Sequence, residues 1–195
     1  MAGRSTLVAI VISTFAVLGL TASPAAAEAP HDFVDDPPAE LLPADFCGDV
    51  VTFPVVHDHF SSGTEHITTH GDGPVYFEVH FRDVDTFTNT LNDKTFTLVN
   101  TGVGKDLKIV DNGDGTITIT FKIVFRQLVY APDGSLLFRT AGQVRTRETI
   151  DTNGTLTDPS DDVPVDGTFS IVKDFVGHDQ TAGRDFCEDL VTFIG

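Results

Sequence analysis

The only two cysteines of the chain lie in two copies of one short stretch, and that placement constrains the fold more than any other feature. Asp45-Phe46-Cys47-Gly48-Asp49-Val50-Val51-Thr52-Phe53 reappears at the C-terminus as Asp185-Phe186-Cys187-Glu188-Asp189-Leu190-Val191-Thr192-Phe193. Between the copies run strand-like segments separated by turn signals, so the two stretches bracket a fold whose ends a Cys47–Cys187 disulfide would staple together. Such a bridge closes a loop of about 140 residues, which chain-entropy bookkeeping values at ~4–5 kcal/mol. Neither cysteine has a nucleophile signature, and a two-thiol metal site would need further ligands that do not lie nearby in sequence.

The compartment follows from the N-terminus. Arg4 precedes an apolar run, Leu7–Leu20, too short to span a bilayer, and Ala25 and Ala27 suit the positions that signal peptidase reads. Residues 1–27 therefore read as a signal peptide cut between Ala27 and Glu28, which makes the mature protein secreted and favours oxidised cysteines. Residues 28–44, rich in proline and acid, read as a disordered leader with Phe33, Leu41 and Leu42 as its apolar anchors, and 45–195 as a single domain. The formal net charge of −17 argues against nucleic acid and anionic membrane surfaces as partners, since both require a basic face. No later run is long and apolar enough for stable membrane insertion.

From Val50 onward Val, Ile, Thr and Phe dominate, and strands are expected at 49–59, 64–70, 75–82, 84–90, 95–101, 105–111, 116–130, 135–150 and 168–177. Alternation is clearest at Thr116–Phe125, where Ile117, Ile119, Phe121, Ile123 and Phe125 share one face. Asp111-Asn112-Gly113-Asp114-Gly115, Ala131-Pro132-Asp133-Gly134 and Asp151-Thr152-Asn153-Gly154 are short returns that make consecutive hairpins. The fold class is thus all-β, an antiparallel up-and-down β-barrel of about eight strands, with a β-sandwich as the alternative. Closure by the terminal strands makes Phe53 and Phe193 core residues, Gly142 marks a bend or bulge, and the acidic loop Leu156–Gly167 crosses a barrel mouth.

Candidate chemistry rests on the histidines. If Phe60–Gly63 is a loop of two or four residues, His59 lies opposite His66, and His57, His59, His66 and His70 share a face with spacing suited to zinc or copper; a three-residue loop dissolves the cluster. No general base accompanies them, because Glu65 points away from His66. Glu78, His80, Arg82, Arg126, Arg139, Arg145, Arg147 and Glu148 are further charged strand residues, and most read as exterior salt-bridge partners. Asp158, Asp161, Asp162 and Asp166 match no calcium motif, so their loop reads as a solvated one.

The signal peptide, the Phe-Cys-Gly opening followed by Phe53-Pro54-Val55, the Asn112-Gly113-Asp114-Gly115-Thr116 hairpin and the closing Asp185-Phe186-Cys187 together resemble a group of uncharacterised secreted β-rich proteins of actinobacteria. The resemblance implies no activity and no catalytic residue; in shape it is similar to allene oxide cyclase-like and lipocalin-like barrels. The function expected is binding of a small apolar ligand, lined by Phe77, Phe81, Ile119, Phe121, Ile123 and Phe138, or an envelope-associated role. A surface protein with a filled core and a His-ligated metal enzyme are the alternatives, and no cofactor is expected outside the zinc or copper reading.

Overall fold

The computed structural model describes residues 29–69 and 73–195; the expected signal peptide, its expected cut at Ala27–Glu28 and His70 lie outside the described residues. Five long strands, β3 (Val55–Thr68), β4 (Tyr76–Asn89), β5 (Lys94–Asp111), β6 (Thr116–Tyr130) and β7 (Leu136–Asp151), follow one another as antiparallel hairpins. Short strands β1 (His31–Asp35) and β2 (Glu40–Leu41) pair with β3 at one edge, and β8 (Val163–Pro164) and β9 (Ser170–Asp179) pair with β7 at the other. The sheet is strongly curled into a half-barrel, an all-β up-and-down arrangement as its alternating sequence requires.

Three pairs of expected strands are each merged into one continuous strand, although residues 49–54 of the first lie outside it and form part of the segment before β3, and glycine is a large part of the reason for the merging. Phe33, Gly63, Phe81, Gly102, Phe125, Gly142 and Gly177 are direct partners in succession across β1, β3, β4, β5, β6, β7 and β9. A Cβ built on Gly63 would meet the Phe33 ring at 2.6 Å, and one on Gly102 would meet the Phe81 ring at 2.7 Å. Glycine here leaves room for a neighbouring ring on a curled sheet; it does not mark a turn. Gly142 lies against the Phe175 ring in the same way, with the β7–β9 register shifting beside it.

The expected terminal strand is a helix, α1 (Phe186–Ile194). Asp185 caps it by accepting from the Cys187 and Glu188 amides, and Phe186, Leu190, Phe193 and Ile194 recur at helical spacing. Leu190 and Ile194 are fully buried against Cys47, Val51, Val55, Phe96 and Val129, with Phe53 and Phe193 packed around them. The helix and the 42–53 segment thus plug one end of the half-barrel, pinned by the Cys47–Cys187 disulfide with its Cα atoms 5.7 Å apart. Asn89 and Asn92 donate to the Ile194 carbonyl and Lys94 to that of Gly195, which satisfies the helix C-terminus from the β4–β5 turn.

The stretch expected as a disordered leader is tied down by β1 and β2. Phe33 covers Gly63 and Leu42 joins the plug, so two of its three apolar anchors are used, whereas Leu41 stays exposed. At the far edge β8 brings the acidic loop against Ile150 and Asp151 at the end of β7.

Candidate functional site

The inner face, defined by the buried plug contacts, carries a histidine–carboxylate cluster next to the plug. The β3–β4 register runs without a bulge, with His57 opposite Phe87 and His59 opposite Asp85, so all four side chains share this face. Asp85 Oδ1 accepts from His57 Nε2 at 3.0 Å and from His59 Nδ1 at 2.9 Å. The His57 ring stacks on Phe87 with centroids 4.7 Å apart, and Glu40 Oε1 of β2 lies 4.0 Å from His57 Nδ1.

Further along the same face, Ser61, Asp83, Asn100, Gln127, Thr140 and Asp179 form a polar row across the sheet. Ser61 donates to Asp83, Gln127 to Asn100 and Thr140 to Asp179. Burial raises the Asp83 carboxyl above its ordinary value against the opposing Ser61 hydrogen bond. Glu65 is raised by burial, partly offset by His31. Asp106, which accepts from the Phe77 amide, is pushed by burial up to about 6.

The expected four-histidine site is not assembled, because Phe60–Gly63 lies inside β3 and forms no loop. His66 lies on the opposite face from His59, its ring 6.0 Å from that of His80. Asp85 was missed because nothing local marks it: it is joined to the histidines by strand register alone. The acidic loop forms no multi-carboxylate metal cluster among the described residues. Asp158 instead caps a 3-10 turn at Pro159–Asp161, and burial with Asp161, Asp158 and Asp151 nearby pushes Asp162 up to about 6.

Phe77, Phe81, Ile119, Phe121, Ile123 and Phe138 do share the inner face, all half-buried. Phe81 lies over Gly102 and Phe121 over Gly104, while Phe138 packs edge-on to Phe193 with the Arg184 guanidinium 3.8 Å above its ring. Arg184 is held in turn by a paired contact with Asp189.

The outer face is different in kind. An open groove of 640 Å³ crosses β3–β6 at the level of the glycine–phenylalanine row, walled by Ser62, Thr64, His80, Arg82, Thr101, Val103, Val124 and Arg126. A second, of 270 Å³, lies between Lys108, Thr120 and Arg147. Between them Lys105, Lys122, Arg145 and Lys173 are direct cross-strand partners on β5, β6, β7 and β9. Of the 12 Lys and Arg in the whole chain, Arg82, Lys105, Lys108, Lys122, Arg126, Arg145, Arg147 and Lys173 thus occupy this one face. Of the expected exterior salt bridges, Glu78 meets His80 at 3.1 Å and also reaches Lys105 at 3.8 Å, whereas among the described residues the other lysines and arginines of this face have no carboxylate within 4.0 Å. Arg145 Nε is shielded from water and has no hydrogen-bond partner.

Fold and faces together define an all-β, antiparallel, barrel-like protein with a disulfide-pinned plug. No family model, curated protein or solved structure matches the chain. Among the described residues no helix is long and apolar enough to cross a membrane.

Proposed function

We propose that this is an exported, envelope- or matrix-associated binding protein that holds a linear polyanion, such as an acidic or phosphate-bearing glycan chain, on the outer face of its sheet. The carrying observation is the row Lys105–Lys122–Arg145–Lys173, in which like charges face each other directly on successive strands. Like charges directly opposite destabilise a sheet, so a run of them whose one carboxylate partner among the described residues is Glu78, at Lys105, is expected where a ligand supplies the counter-charge. With strands ~4.8 Å apart the row spans about 14 Å, a length that favours a chain of repeated anionic groups over one small anion. The argument from sequence against nucleic acid and anionic membrane surfaces counted total charge, and on this protein the charge is sorted by face.

The test is retention of the mature protein on sulfated dextran across a salt gradient. Wild type is expected to bind at low salt and elute as salt rises, because each neutralised anion releases counterions. A Lys122→Glu, Arg145→Glu variant should elute at distinctly lower salt. Wild-type flow-through, or identical elution of the two proteins, would overturn the reading, and preference for single-stranded DNA over the glycan would replace the partner class. The six inner apolar residues favour a second reading, a small apolar ligand along the half-barrel interior, because they share one half-buried face.

A further inference from the structure

We propose that His57, His59 and Asp85 bind one divalent first-row transition-metal ion of the zinc or copper class, on the face opposite the polyanion surface and independent of it.

Three observations converge on this site. The three donor atoms lie within 4.8 Å of one another. Metal bonds of about 2.0–2.2 Å in a tetrahedral shell place neighbouring ligand atoms roughly 3.3–3.6 Å apart, so an ion enters with side-chain shifts of well under ~2 Å. Asp85 Oδ1 already lies 3.0 and 2.9 Å from the two ring nitrogens. Two imidazoles and one carboxylate suit zinc, copper or nickel, whereas calcium and magnesium favour sites built wholly of oxygen.

The second observation is a tautomer conflict at His57. A neutral ring that donates Nε2–H to Asp85 turns the Nδ1 lone pair toward the Glu40 carboxylate, 4.0 Å away. A metal on Nε2 reverses this. The ring proton then sits on Nδ1 on the side of Glu40, and an approach of about 1 Å by that exposed carboxylate would give the carboxylate–imidazole–metal arrangement that orients metal-binding histidines. Without a metal the alternative resolution is a doubly protonated His57, and the experiment separates the two.

The third observation is preorganisation. The His57 ring is stacked on Phe87 at an interplanar angle of 11°, and the three side chains are 22%, 19% and 23% exposed, enough for an ion to enter and for water to complete its shell. Glu40, 4.0 Å from His57 Nδ1, adds negative potential beside the cluster.

Chelator-stripped mature protein, without a histidine tag, is titrated with zinc alone by calorimetry while the ring nitrogens are followed by ¹⁵N NMR. One ion per chain is expected, with His57 moving from Nε2–H to Nδ1–H. His59→Ala and Asp85→Asn are each expected to weaken binding at least tenfold, and Glu40→Gln to weaken it less. A His66→Ala, His80→Ala variant, which alters the other close histidine pair, should bind as wild type does. Absence of stoichiometric zinc, or binding lost with His66 and His80 but kept in His59→Ala, would overturn the site. So would a His57 ring that carries protons on both nitrogens throughout the titration, which needs no variant to fold.

Discussion

The two faces of the same five long strands carry opposite charges. Facing the plug side are Glu65, Asp83, Asp85, Asp106 and Glu148, with His57, His59 and, at the turn, Lys94; facing out are Arg82, Lys105, Lys108, Lys122, Arg126, Arg139, Arg145 and Arg147, against the acids Asp58, Glu78 and Asp151. A period of two therefore sorts charge sign as well as polarity in this sheet. The inner face also holds the buried side chains and needs a cover, which α1 and the 42–53 segment provide. The outer face needs none, and among the described residues its lysines and arginines have a carboxylate within 4.0 Å only at Lys105, beside Glu78. Net charge reports neither arrangement.

The largest effect is expected from uncovering the inner face. A Cys47→Ser, Cys187→Ser variant loses the staple across 140 residues, for which ~4–5 kcal/mol of destabilisation is expected, less any native strain relieved. Urea unfolding of the two proteins measures it. A midpoint unchanged by the double substitution would mean that Leu190 and Ile194 hold the plug without help.

Much of this contrast was legible in the sequence, strand by strand. Strands β6 and β7 fall almost where alternation placed them, the six apolar candidates share a face, and Arg145 and Arg147 read as outward. What was not legible lies between strands. Gly63 and Gly102 read as punctuation because the rings that lie against them, Phe33 and Phe81, belong to neighbouring strands. His59 and Asp85 are 26 residues apart and meet through register, where a slip of one residue would part them. The row Lys105–Lys122–Arg145–Lys173 needs four strands aligned at once. The C-terminal helix is a different case: its Asp185 cap and the spacing of Phe186, Leu190 and Ile194 were visible, but the expectation of a barrel closed by its two bracketing stretches made the last one a strand. In that N-terminal copy Gly48, at φ +57°, stands where the helix has Glu188, and the chain forms turns there.

The inner face should also respond to pH, because burial raises the carboxyls of Glu65, Asp83 and Asp106. Asp106 has its folded pKa pushed up from 3.8 to about 6, so between those values the folded state holds a proton that the unfolded state has released. Its stabilising contribution is present below about pH 4, declines as pH rises toward 6, and is gone above that range. Asp162, also pushed up to about 6, acts in the same direction from the loop. Asp106→Asn keeps an oxygen for the Phe77 amide but cannot titrate. Relative to wild type, this variant should gain stability as pH rises from 4 to 7, measured by urea unfolding at each pH. A wild-type-minus-variant difference that stays flat across that interval would show that Asp106 is solvated well enough to ionise normally.

The smallest effect is expected on the outer face, and its sign is opposite to that of most substitutions. Lys122 lies directly between Lys105 and Arg145, so Lys122→Thr removes two like-charge pairs and places a β-branched residue on a strand. Stability should rise by ~0.5–1 kcal/mol at low ionic strength, with the gain shrinking as salt screens the repulsion in the wild type. The same substitution should weaken retention on sulfated dextran. A site kept for a ligand at a cost to the free protein predicts that pairing of gain and loss. If Lys122→Thr is neutral or destabilising at every salt concentration, the row is not under electrostatic strain and the charge on this face needs no ligand to explain it.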